Sequence, residues 1–240
     1  MKGPRVFSIE VTDFAIVTYA VPAERVWAHL PKPYELDTFE GPKGTIAFVS
    51  TTCFCNRDFR PTINYPRHTF NESTYRTYVT HKGRKGIYFF GRYLSTTRAW
   101  VSQRPIARHT YRAAFDVSIT NTVEGYASYL CKVVSDVGDT SFSLQAMQDP
   151  EGKHPFTSGE ELAQFLTYRL HGFYTDVIGA QGHMPVSHPR MNPFAGELSD
   201  ARFDLWDKLE ILRPEEARDP YSVLVVPAVP FKLFAPRFLV

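Results

Sequence analysis

Along most of the chain, β-branched and aromatic residues gather in runs at 5–20, 44–55, 73–81, 86–94, 108–120, 124–134, 140–148 and 221–234, most bounded by Gly, Pro, Asp or Asn. Such runs read as strands, and their spacing predicts a meandering antiparallel sheet or barrel. Helical period is scarce. The best case is TSGEELAQFLTYRLHGFYT, where Ser158 followed by Glu161 forms a capping box and Leu162, Phe165, Leu166 and Phe173 recur on one face; it predicts a helix over 158–175 that presents Arg169 near the rim of any pocket. A shorter helix follows Pro22, with Ala23, Val26, Trp27 and Leu30 at helical spacing and Pro31 and Pro33 as stops, and a third runs from Ser95 to about Arg104. Residues 180–200 have no period and are expected to form one long loop. No repeat, low-complexity tract or linker divides the chain, so residues 1–240 are expected to fold as a single domain, mostly β (α+β) with a few flanking helices.

Composition narrows the function classes. The 240 residues are 43% apolar and 15% aromatic, ample for a sizeable core. A formal charge of +2, with acids and bases mixed in nearly every segment, leaves no electrostatic footprint for nucleic acid or an anionic membrane. Lys82, Arg84 and Lys85 cluster, but at the tip of a hairpin, where a solvated turn accounts for them. Three cysteines, Cys53, Cys55 and Cys131, are too few for a disulfide framework. With an N-terminus that turns polar before any apolar run forms, they point to reduced thiols in a cytoplasm. The apolar tail is broken by Pro227, Pro230 and Pro236, which fits a bent core strand and not a membrane span.

The informative stretch is FNESTYRTYVTHKGRKGIYFF, residues 70–90, two strand-like runs joined at a Gly-Arg-Lys-Gly tip. Alternation puts Glu72, Thr74, Arg76 and Tyr78 on one face and Ser73, Tyr75, Thr77 and Val79 on the other, and neither face is plainly a solvent face. Glu72 and Arg76 are about 13 Å apart along a strand, too far to pair with each other. Each needs another partner, either in a structural salt-bridge network or in the wet interior of a barrel. A second polar group is ARHTYRAAF, in which Arg108, Thr110 and Arg112 share one face and His109 and Tyr111 the other; His109 is a candidate acid or base, although a lone strand histidine is more often simply hydrogen-bonded. His183 and His188 have poor metal spacing with no carboxylate or cysteine beside them. No Gly-rich phosphate loop, Gly-x-Ser-x-Gly elbow or His-Glu-x-x-His occurs, so neither a metal nor a cofactor is expected.

Four stretches occur in one order: RTYV with GIYFF after a glutamate, then YRAAF, then QFLTYRLHGFYT with PVSHPR, then YSVLVVPAVPF. Together they resemble the uncharacterised bacterial YqjF-type domain-of-unknown-function family of the acetoacetate decarboxylase-like superfamily. The resemblance spans nearly the whole chain and implies an antiparallel β-barrel or β-cone with flanking helices and an internal pocket. In acetoacetate decarboxylases a buried lysine forms a Schiff base with a β-keto acid, helped by a pocket carboxylate and an arginine. By resemblance Glu72 is the counterpart of that carboxylate, while RHTYRAAF offers Tyr111 and Arg112 where the lysine should stand. Lys132 and Lys232 are the only lysines inside strand-like runs, and a guanidinium cannot form a useful imine.

The resulting expectation is a pocket for a small organic acid. Glu72 is the catalytic candidate, and Arg76, Tyr78, Tyr88, His109, Tyr111 and Arg112 are the ligand-binding ones. Two functions fit: a lyase or hydratase that uses Glu72 without an imine, or a non-catalytic binding or sensing module of the same fold. A homo-oligomer is compatible with either.

Overall fold

The computed structural model describes residues 6–60 and 66–239. Its strands are β1 Val6–Pro22, β2 Glu35–Leu36, β3 Thr38–Gly41, β4 Gly44–Phe59, β5 His68–His81, β6 Arg84–Leu94, β7 Thr110–Arg112, β8 Ala114–Thr122, β9 Gly125–Val134, β10 Thr140–Gln148, β11 His171–Thr175, β12 Gln181–Ser187, β13 Phe194–Phe203, β14 Ser222–Phe234 and β15 Arg237–Phe238. The helices are α1 Ala23–Trp27, α2 Thr97–Gln103, α3 Gly159–Thr167 and α4 Asp204–Lys208. No helix among the described residues is long and apolar enough to cross a membrane.

The strands join in the order β15-β12-β11-β6-β5-β4-β1-β14-β13-β10-β9-β8, and β12 also pairs with β14 through Val186↔Leu233 and Ser187↔Lys232. That extra contact closes β1, β4, β5, β6, β11, β12 and β14 into a ring, while β13, β10, β9 and β8 continue from it as an open wing. The fold is therefore mostly β but not a clean barrel. Its pairings are antiparallel except where β6 meets β7 and β11.

Two faces of the ring are buried for different reasons. The inner face carries Val11, Phe14, Ile16, Phe48, Tyr78 and Ile87, covered at one end by Leu162 and Leu166 of α3. The outer face carries Val17, Tyr75, Tyr93 and Val225 and packs on the wing residues Tyr129, Phe142 and Phe203 and on Trp206 of α4. A strand buried on both faces shows no solvent alternation. This explains why β5 is apolar or polar without regard to phase. The wing is fixed by buried donors: Tyr129 Oη donates to the carbonyls of Asp13 and Cys53, and Trp206 Nε1 donates to Thr51 Oγ1 at 2.8 Å.

The expected strands are present, with three corrections. The 158–175 helix stops at Thr167, and its last third is β11. The Ser158 cap holds, accepting from Glu161 N–H while Glu161 accepts from Thr157. Hydrogen bonds from the Thr157 N–H and hydroxyl keep the exposed Glu161 carboxyl below its ordinary range. Beyond Tyr168, however, pairing with both β12 and β6 satisfies the backbone and outweighs helix periodicity, so Phe173 joins the outer core and not the α3 face. The expected loop at 180–200 contains β12 and the start of β13. Finally, the hairpin tip is the two-residue Lys82–Gly83 turn, with φ of 49° and 74°, and Arg84 and Lys85 already belong to β6.

The β11–β12 pair carries a titratable contact. His171 Nδ1 and His183 Nε2 lie 2.8 Å apart, with one ring donating and the other accepting. Burial, followed by the charges of His171, Arg84, Arg237 and His81, pushes His183 down from 6.5 to about 4. A group that protonates more readily when unfolded contributes stability that is complete above its unfolded value and is lost as pH falls toward the folded one. Stability is expected to drop by about 1–3 kcal/mol between roughly pH 6.5 and 4 through this residue. Denaturant titrations across that window should show a shallower slope in His183→Phe, and an unchanged slope would exclude the pair as its source.

Candidate functional site

A cavity of about 120 Å³ lies inside the ring. Its wall is largely apolar, from Val11, Phe14, Phe54, Phe89, Met184 and Phe231, and the polar groups reaching it include Glu72, Arg76, Arg92, Arg169 and His188.

Glu72 of β5, only 5% exposed, meets Arg92 of β6. Arg92 donates from Nε at 2.9 Å and Nη2 at 2.7 Å to Glu72 Oε1, and Asn56 Nδ2 donates to Oε2 at 3.0 Å. Arg92 Nη2 also donates to Gln103 Oε1 of α2. Both carboxylate oxygens are therefore occupied and the charge is balanced. Counting by twos from Tyr88 and Phe90 puts Arg92 on the outer face. A bulge reverses this: Tyr75 pairs with Gly91 but Arg76 pairs with Phe89, so β6 carries one extra residue and Arg92 turns inward with Ile87 and Phe89. That irregularity hid Glu72's partner from strand periodicity.

Arg76 is the opposite case. It is 7% exposed, and its guanidinium lies 5.5 Å from the Phe14 ring centroid and 6.0 Å from that of Tyr78. Nη2 donates to the Leu166 carbonyl at 3.3 Å, while Nε is buried without a hydrogen-bond partner. Among the described residues no carboxylate lies within ion-pair distance of it. Arg169, just beyond α3, is neutralised instead: its Nη1 meets Asp37 Oδ2 at 2.8 Å and its Nε donates to the Phe165 carbonyl at 2.9 Å. Burial pulls the Arg169 guanidinium below its ordinary value and Asp37 opposes that. His188 contacts the Pro189 carbonyl through Nδ1 at 2.8 Å, which places the ring proton on Nδ1 and leaves Nε2 as an acceptor. Burial, reinforced by the Arg76 charge and opposed by the Pro189 bond, holds His188 below its usual range, so it stays neutral near pH 7.

Of the residues singled out from sequence, Glu72 and Arg76 line the cavity. Tyr78 shares their face but lies beneath Arg76 in the inner core, its hydroxyl 2.7 Å from Ser50 Oγ. Tyr88 faces the outer core, bonded to Thr175. His109 and Tyr111 bond each other at 3.1 Å, away from the cavity, and Arg112 is exposed beside α2, bonded to Thr97 and to the Leu94 and Ala113 carbonyls. The cavity brings none of these four together with Glu72. Lys132 and Lys232 are exposed, and no lysine among the described residues lines the cavity. Of the charged and titratable lining residues, Arg92, hidden by the bulge, and His188, discounted as a metal ligand, were not found from sequence, whereas Arg169, expected near the pocket rim, is part of the lining. The described residues contain no group of three or more His, Cys, Asp or Glu side chains arranged to hold a metal ion.

The DUF2071 profile, described as an uncharacterized conserved protein, matches residues 8–230, so the chain belongs to that family. No curated protein matches it. Among solved structures, an acetoacetate decarboxylase-like enzyme from Sphingomonas wittichii RW1 aligns at a TM-score of 0.63 and 11% identity, over 98% of this chain and 93% of that one. The enduracididine biosynthesis enzyme MppR complexed with pyruvate aligns at 0.60 and 12%, over 100% and 92%. Acetoacetate decarboxylase from Legionella pneumophila aligns at 0.60 and 13%, over 100% and 92%. At such identities the likeness establishes a shared fold, the acetoacetate decarboxylase-like one.

Proposed function

We propose that this DUF2071 chain binds a small organic acid inside its strand ring, with Arg76 as the partner of the ligand carboxylate. The observation that carries this reading is a buried guanidinium at the cavity with no carboxylate partner among the described residues and an unbonded Nε. Burying an unpaired charge is costly, and a planar guanidinium matches a carboxylate with two parallel hydrogen bonds. Cavities of about 150 Å³ accept a guest the size of benzene, so a space of about 120 Å³ suits a ligand of that order. A protein of the same fold is recorded with pyruvate, itself a small carboxylate.

The geometry favours a binding or sensing module over a lyase or hydratase. Glu72 accepts from Arg92 and Asn56 through both oxygens, which suits a structural anchor better than a group that must exchange protons with substrate. With no lysine among the described residues that line the cavity, an imine route lacks a nucleophile there.

Calorimetric titration with small carboxylic acids tests the proposal. Arg76→Met is expected to weaken binding by about 10- to 100-fold, the value of a charge-assisted contact, while the ligand-free variant stays at least as stable because an unpaired buried cation is gone. Neutral amides binding as well as the acids, or a variant that binds as the wild type does, would defeat it.

A further inference from the structure

We infer that the ligand is a monoanionic acid with an apolar body, carrying one carboxylate and no second charge; this rests on Arg76 being the carboxylate's partner. The charge inventory of the cavity sets the limit. Arg92 is spent on Glu72, Arg169 on Asp37, and burial beside Arg76 disfavours a charge on His188, whose Nδ1 meets the Pro189 carbonyl, so among the described lining residues Arg76 is the cation left over. One negative charge balances it.

A second carboxylate has nowhere favourable to go. Along β5 from Arg76, the far end of the cavity is held by Glu72, about 13 Å away, whose bonds from Arg92 and Asn56 occupy both of its oxygens, so that among the described residues this end has no spare cation for a second carboxylate. Much of the remaining lining is apolar, from Val11, Phe54, Phe89, Met184, Phe231 and Leu233, which would strip a second carboxylate of water without replacing its hydrogen bonds. The same wall favours an alkyl or aryl body. Hydroxyl-rich acids fare poorly for a related reason. Thr74 is already bonded to Thr52 and Thr167 donates to the Ala163 carbonyl, so the cavity offers few unengaged polar partners.

The test is calorimetric titration of the full chain with three probes of nearly one shape: isocaproate, succinate, in which a carboxylate replaces the isopropyl group, and neutral isocaproamide. Isocaproate is expected to bind at least about tenfold more tightly than either of the others, and to lose that advantage in Arg76→Met. Succinate binding as tightly as isocaproate, with the amide silent, would overturn the inference while leaving Arg76 as an anion site. Isocaproamide binding as tightly as isocaproate would overturn the Arg76 reading itself, and the inference with it. No binding by isocaproate at millimolar concentration would also overturn the inference.

Discussion

Replacing Arg92 by methionine is expected to destabilise the protein by about 3–5 kcal/mol, because Glu72 would be left as an uncompensated buried charge. The pair sits at 10% and 7% side-chain exposure with an N–O distance of 2.7 Å, so the cavity is the route by which water could partly replace the guanidinium. The methionine chain preserves most of the packing over Phe89, where the guanidinium now lies 5.5 Å from the ring centroid. The loss therefore measures the stranded carboxylate more than a cavity. Removing both charges together, as Glu72→Leu with Arg92→Met, should recover most of that stability, since a well-packed apolar pair of similar volume often matches a buried ion pair. Denaturant midpoints of the two single variants and the double variant settle the question. If Arg92→Met alone costs under about 1 kcal/mol, Glu72 is hydrated in the native protein and its role as a fixed anchor is wrong.

Trp206→Ala should cost a comparable amount, about 3–5 kcal/mol, through the other buried layer. Trp206 is fully buried between ring and wing, 5.0 Å from the Tyr75 ring and 5.7 Å from that of Phe90, and its indole N–H is bonded to Thr51. Truncation leaves a void bounded by β4, β5 and β6, strands that cannot collapse inward without disturbing the cavity on their opposite face, and it strands the Thr51 hydroxyl as well. Because ring and wing share this layer, acid binding is expected to weaken along with stability. A loss near 1 kcal/mol, with binding intact, would mean that α4 is peripheral.

How far the site could be read from sequence follows from single residues. Glu72 and Arg76 were visible because in-phase charges on a strand with no solvent face need an explanation. Arg92 was missed because the single-residue bulge in β6 reverses its face, whereas Tyr88 pairs with Thr77 before the bulge and so takes the outer face by ordinary hairpin register. His109, Tyr111 and Arg112 had the right residue types, but β7 pairs in parallel at the side of β6, where its side chains do not reach the ring interior. Phe173 had helical spacing yet lies in a strand, because pairing on both sides outweighs a weak local preference.

Residue pattern alone determined the predominance of strands, the Ser158 helix start and the in-phase placing of Glu72 and Arg76 on one strand face, since each depends on neighbours a few positions apart. Only the tertiary structure decided that the sheet closes through β12 and β14, that Arg92 and Asp37 neutralise Glu72 and Arg169, and that Arg76 is left over. Those outcomes rest on register and on contacts between residues as far apart as Asp37 and Arg169. A one-residue shift there reverses a face, and nothing in the local pattern records it.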